Sequence, residues 1–170
     1  MKVIHHIAIS IGVSALVWAI FRSSTAALAC FLTGVFLDID HLIDYVVNYG
    51  WHFRFKRFFR VFEFEVFENI FIFLHSWEFI VIYLVLLWLI DWMPVAIGAV
   101  IGILVHLLLD HFFNDHSKFA YFISYRLFHR FSGKHFYGAD EYRKRLKRQR
   151  QQTARTISNE AKQNDQKSDR

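Results

Sequence analysis

The chain contains one cysteine, Cys30, and one proline, Pro94. A single thiol excludes an intramolecular disulfide framework and any cysteine-based zinc cluster, so a metal bound here must be held by nitrogen and oxygen. The scarcity of proline excludes a collagen-like chain, and a hydrophobic fraction of 55% excludes one disordered throughout. Positive charge is unevenly spread. Residues 143–150 read Arg-Lys-Arg-Leu-Lys-Arg-Gln-Arg, and sequence rich in Lys, Asp, Gln and Ser follows to Arg170, so the net charge of +5 is not an even coat. That tail, 143–170, has too little apolar content to fold alone and is expected to be a disordered, solvated extension. Basic sequence just beyond a membrane helix faces anionic lipid headgroups more often than nucleic acid, which is the disfavoured partner.

Phenylalanine and histidine are abundant instead, with 20 and 10 copies in 170 residues. Most of the histidines lie in or beside apolar runs. Four such runs, about 3–21, 26–47, 69–90 and 94–113, approach or reach the roughly 20 residues a bilayer crossing takes. The connectors Arg22-Ser-Ser-Thr25 and Asp91-Trp-Met-Pro94 are short, which makes neighbouring helices antiparallel, and Pro94 suits a first helical turn. Trp51, Trp88 and Trp92 fall near the expected ends, where interfacial aromatics sit. The expected fold is all-α: a four-helix transmembrane bundle over 1–142, with interfacial amphipathic segments at 52–68 and 118–142.

The distribution of Lys and Arg sets the orientation. With a cytoplasmic N-terminus, Lys2, Arg54, Lys56, Arg57, Arg60 and the tail all lie inside, and only Arg22 lies outside, so both termini are expected in the cytoplasm. A signal-peptide reading of the first run, ending at Ala27-Leu-Ala-Cys30, is disfavoured. Arg22 interrupts it, Leu28 is poorly placed for cleavage, and another apolar run follows at once.

Charged groups within apolar spans are costly and mark function by default. The second span carries Asp38, Asp40, His41 and Asp44; the third His75 and Glu78; the fourth His106 and Asp110, with His111 next; and the first opens with His5-His6. On helices, Asp38/His41, Asp40/Asp44, His75/Glu78 and His106/Asp110 each share a face. With the expected topology, all four spans bring polar groups to the cytoplasmic side. His75 lies roughly 9 Å into its span at 1.5 Å per residue. Gly98, Gly102, His106 and Asp110 follow at intervals of four, so the face that permits close helix contact is also the polar one. A His/Asp ligand set suits a divalent metal, with Zn²⁺ first and Mn²⁺ or Fe²⁺ as alternatives. Asp38 and Asp40, two apart, diverge on an ideal helix. Both take part only if the helix is distorted, or if one supports a ligating histidine from behind. Glu78 and Asp44 are the candidate catalytic carboxylates, Glu78 either as a general base or as the partner of an Arg or His. A buried structural network, or a proton or metal-ion path, would use the same residues.

The order His5-His6, Asp38-Ile-Asp40-His41, His75-Ser76 and His106-Leu-Leu-Leu-Asp110 resembles the bacterial inner-membrane metal-dependent hydrolases of the LexA-binding type. The resemblance covers about 5–111. It implies a membrane-bound hydrolase acting on an ester or phosphoester, with His6 or His5, Asp38, Asp40, His41, His75, His106 and Asp110 as the metal and catalytic set. One departure is specific. The family's His-Arg-Gly-x-x-His-Ser is replaced by Ile70-Phe-Ile-Phe-Leu-His75-Ser76, so one His and one Arg are missing from that position.

Overall fold

The computed structural model describes residues 3–51, 58 and 66–168, and among these there is no strand. Helix α1 spans Val3–Phe21 and α2 spans Ser24–Phe36. A 3₁₀ turn, Leu37–Asp40, joins α2 to α3, His41–Tyr49. Helices α4, Trp77–Leu89, and α5, Pro94–Phe113, follow, then the short α6, Ile123–Phe128, and α7, Gly133–Tyr137. The last, α8, runs Ala139–Ser168.

Three stretches are helical, apolar and long enough to cross a membrane: Ile4–Phe21, Ser24–Tyr49 and Pro94–Phe113. They leave large side chains such as Ile11, Leu16, Leu28 and Val95 exposed, as a lipid-facing surface does. The run at 69–90 differs from the expected fourth span. Its helix is only Trp77–Leu89, 13 residues, or roughly 20 Å at 1.5 Å per residue. Residues 69–76 are irregular.

Helix α2 packs most extensively on α5, and α1 crosses both. The reason lies in small residues. A Cβ at Gly98 would collide with the Ala26 carbonyl, and one at Gly102 with the Thr33 side chain and the Cys30 carbonyl, so glycine lets the two backbones touch. Thr33 Oγ1 also lies within hydrogen-bond reach of the Ala99 carbonyl, at 2.9 Å, and can donate to it between the two helices. Of α5, Gly98, Gly102, His106 and Asp110 are all buried, so the glycine stripe leads directly to the polar end.

A second core closes that end. Tyr45 of α3, Phe67, then Ile70 and Ile72 of the irregular segment, Leu107 of α5, and Tyr121, Phe136 and Tyr137 pack together. The 118–142 stretch is two short helices and the start of α8 rather than one helix, and the two short helices are separated at Arg130 and Phe131, which have φ of 53° and 56°. Expected interfacial helix 52–68 lies largely outside the described residues. The tail continues as helix α8 instead of a disordered extension. Asp140 and Glu141 in its first turn oppose the helix dipole favourably, and Arg143 and Arg145 pair with them at 3.3 and 3.1 Å.

Candidate metal centre

The site begins with a segment that does not fold as a helix. Between 69 and 76 the backbone donors and acceptors are taken by other groups, which compete with helical hydrogen bonding. The Phe71 amide donates to Asp44 Oδ1 at 2.6 Å and the Leu74 amide to Asp40 Oδ2 at 2.9 Å. Asn48 Nδ2 donates to the Asn69 carbonyl at 3.0 Å. Asp40, at the end of the 3₁₀ turn, and Asp44 and Asn48 of α3 sit four residues apart and so form one edge, to which the segment is fastened. From the other side Arg126 of α6, 2% exposed, donates to the carbonyls of Ile72 at 2.6 Å and His75 at 3.1 Å. Irregular backbone among apolar spans is tolerable because protein groups satisfy it on both sides.

His75 is thereby held, fully buried, between two carboxylates. Its Nδ1 lies 3.0 Å from Asp40 Oδ1, and its Nε2 lies 3.3 Å from Asp38 Oδ1. The divergence of Asp38 and Asp40 is bridged by the width of the imidazole, with the 3₁₀ turn distorting the helix there as well. His106 is arranged in the same way. Its Nδ1 donates to the Gly34 carbonyl at 2.8 Å, and its Nε2 lies 3.3 Å from Asp38 Oδ1 and 3.6 Å from Asp110 Oδ2.

The two Nε2 atoms stand 3.2 Å apart. A carbonyl only accepts, so His106 Nδ1 carries the proton, and the shorter of the two carboxylate contacts of His75, at Nδ1, favours the same tautomer there. In neutral rings both Nε2 atoms then present lone pairs to each other and to the Asp38 oxygen. That set repels itself unless one ring takes up a second proton or a metal cation lies among it. Asp38, His75, His106 and Asp110 each offer one atom within 4.8 Å of the others. Most of their separations, 3.2 to 3.7 Å, suit a tetrahedral ion, because bonds of about 2.0–2.1 Å give edges of about 3.3–3.4 Å. The charges point the same way. Asp38, Asp40, Asp44 and Asp110 gather here, and Arg126 is the only buried Arg or Lys among the described residues.

The remaining sequence candidates stand around these four. His6 is buried, its ring stacked on His106 at 4.1 Å, and its Nε2 lies 3.1 Å from Asp110 Oδ1, the oxygen turned away from the two histidines. His5 is exposed. His41 is partly open, its Nε2 3.5 Å from Asp38 Oδ1 and its Nδ1 3.8 Å from Asp44 Oδ2. Asp40, His41 and His75 form a second close group. Glu78 lies apart from the cluster: it accepts from Ser76 Oγ at 2.5 Å and from the amides of Ile123 and Ser124 at 3.0 Å, capping α6. Arg126 carried no sequence signal that set it apart from other basic residues in an aromatic stretch.

A cavity of about 650 Å³ opens on the cluster, with Asp38, His41 and Asp110 in one wall and His116 and Tyr121 in the other. Burial lowers His116 to about 4, with the charge of Arg145 adding to the effect, so the ring is neutral at pH 7. The helical fold, the apolar spans and a buried His/Asp group able to hold a metal define the class as a membrane protein with a candidate metal centre. No protein-family model matches the chain, and no curated protein or solved structure matches it.

Proposed function

We propose that this protein is a membrane-bound metal-dependent hydrolase that acts on an ester or phosphoester, with Zn²⁺ as the first candidate ion. The observation that carries the reading is the pair of Nε2 atoms 3.2 Å apart, both lone pairs directed inward by the bonds made at Nδ1. The motif order shared with the inner-membrane hydrolase family supports it. Asp38, His75, His106 and Asp110 would hold the ion, which supplies Lewis acidity and draws the pKa of water toward neutrality. Asp40 and the Gly34 carbonyl keep the ligand tautomers fixed, and His6 holds the far oxygen of Asp110. His41 lines the cavity and is placed to take up or release a proton at Nε2, with Asp44 behind its Nδ1. Arg126 supports the loop through the Ile72 and His75 carbonyls. On this reading the membrane is a bacterial inner membrane, α4 completes a four-helix bundle, and the Lys and Arg distribution supports a cytoplasmic position for the cluster.

Metal analysis of the detergent-purified chain tests the reading. We expect close to one transition-metal ion per chain, lost in His106→Ala and Asp38→Ala. A markedly substoichiometric metal content that neither substitution changes refutes it and leaves a structural polar network. Given metal, hydrolysis of phosphoester or carboxylester substrates that stops on chelation separates an enzyme from a metal carrier. A reporter fused after Arg170 is expected to read cytoplasmic.

A further inference from the structure

The cavity above the cluster has a second polar feature, remote in sequence from the candidate ligands. Of the basic residues of α8, Arg145 alone lines it among the described residues. Its guanidinium lies 4.7 Å over the Tyr137 ring, and its Nε donates to Glu141 Oε1 at 3.1 Å. An aromatic face and a carboxylate one turn away thus fix the side chain before any ligand arrives, which lowers the ordering cost of binding. No hydrogen-bond partner for its two terminal amino groups is found among the described residues. They form a fork matched to the oxygens of a phosphate or carboxylate.

Besides Arg145 the lining includes the carboxylates of Asp38, Asp44, Asp110 and Asp115, and much of the remainder is apolar. Phe67, Ile70, Ile72 and Phe136 are buried in its wall. Phe36 and Phe113 also line it, yet remain 59% and 69% exposed, at the ends of the lipid-facing helices α2 and α5. The mouth is therefore continuous with the apolar outer surface, and a molecule can enter sideways from the bilayer. A fixed cation at one side, an apolar wall and a lateral mouth fit a ligand that is anionic at one end and apolar at the other.

We propose that this cavity binds a lipid carrying a phosphate monoester, with the phosphate on Arg145 and the first part of the chain against the phenylalanine and isoleucine wall. The inference rests on the hydrolase reading only for what happens to that lipid afterwards. Its binding is testable alone.

The full chain in detergent, examined by native mass spectrometry, is titrated with dioleoyl phosphatidic acid, dioleoyl phosphatidylcholine and inorganic phosphate. Phosphatidic acid is expected to bind at least about tenfold more tightly than either of the others, and Arg145→Ala to lose about that factor. Arg145→Gln, which keeps a side chain on Tyr137, is expected to lose as much. Equal binding of the two lipids, phosphatidic acid binding unchanged in both variants, or inorganic phosphate binding as tightly as the lipid would overturn the proposal. Metal content measured in the same samples separates the two readings. Arg145-independent lipid binding beside intact metal and turnover refutes this inference alone, whereas Arg145-dependent binding to a chain without metal refutes the hydrolase reading alone.

Discussion

Replacing Arg126 by methionine tests whether the candidate centre is held from behind by the irregular segment. The methionine keeps much of the aliphatic stem and removes every donor. The structure gives the magnitude. Two short bonds from a charged donor, to the Ile72 and His75 carbonyls at 2.6 and 3.1 Å, disappear, while the bond to Phe71 at 3.4 Å is weak. At about 1.5–3 kcal/mol for each charged hydrogen bond, the variant should lose about 3–6 kcal/mol. The carbonyls left behind are buried among apolar side chains, so water does not readily replace the arginine. Because one of these carbonyls belongs to His75 itself, metal affinity should fall about 10- to 100-fold, as for other groups that orient a ligand from outside the coordination sphere. Unfolding in detergent, followed by tryptophan fluorescence, reads the first effect, and competition against a chelator of known affinity reads the second. Arg126→Lys, with a point charge in place of the fork, should fall between. An Arg126→Met protein with unchanged unfolding midpoint and metal affinity within about twofold of the parent would refute the idea that loop and centre are one unit.

Three further outcomes follow from particular contacts. Gly102→Val should prevent α2 and α5 from packing, since even a Cβ there meets Cys30 and Thr33, and should appear as loss of folded protein on size exclusion. Glu78→Ala should cost about 1–2 kcal/mol through the lost cap of α6 while leaving metal stoichiometry intact; loss of the metal would place Glu78 closer to the chemistry than its contacts do. The pH dependence of stability should include His116. Its ring is held at about 4 when folded against 6.5 ordinarily, so the unfolded chain takes up the proton first as pH falls. The stabilisation is complete above about pH 6.5 and is lost toward pH 4, amounting to about 2 kcal/mol between pH 7 and 5. His116→Gln should remove that part of the slope, and an unchanged difference between the two pH values would refute it.

How much of this was legible in the sequence depends on which residues carried a local signal. The long apolar runs gave α1, α5 and the combined α2–α3 rod because length and hydropathy are local properties. The glycine stripe leading to His106 and Asp110 was legible for the same reason, as a spacing of four on one helix. The irregular segment at 69–76 was not. Its apolar composition reads as the start of a span, and what prevents a helix there is Asp40, Asp44 and Arg126, about 27 to 55 residues away in sequence. The candidate ligands were visible as polar residues in apolar surroundings. Their division into four converging atoms and three supporting groups was not, because it turns on which ring nitrogen faces which oxygen. Low hydrophobicity argues against a fold for the tail, whereas Tyr142 and Leu146 pack on the core and the Asp140/Arg143 and Glu141/Arg145 pairs favour the first turns of the helix.

The irregular segment also bears on why the polar residues are arranged as they are. A continuous helix through 69–90 would satisfy its own backbone and need no arginine. It would also carry His75 and Glu78 on one face, with the imidazole free to choose its rotamer. Unwinding the first turns frees carbonyls and amides, and two of the amides, those of Phe71 and Leu74, are then bonded to carboxylates of the polar cluster. Asp40 accepts both the Leu74 amide and His75 Nδ1, so the same carboxylate fixes the loop and the tautomer of the candidate ligand. That double use makes loop and centre interdependent: Asp40→Asn would leave the amide bond possible but remove the charge that orients His75. Metal affinity should therefore fall more steeply than stability in that variant. Equal falls in both would mean that Asp40 acts on the loop alone, and His75 would then have to be oriented by Asp38 and the packing of Tyr121 around it.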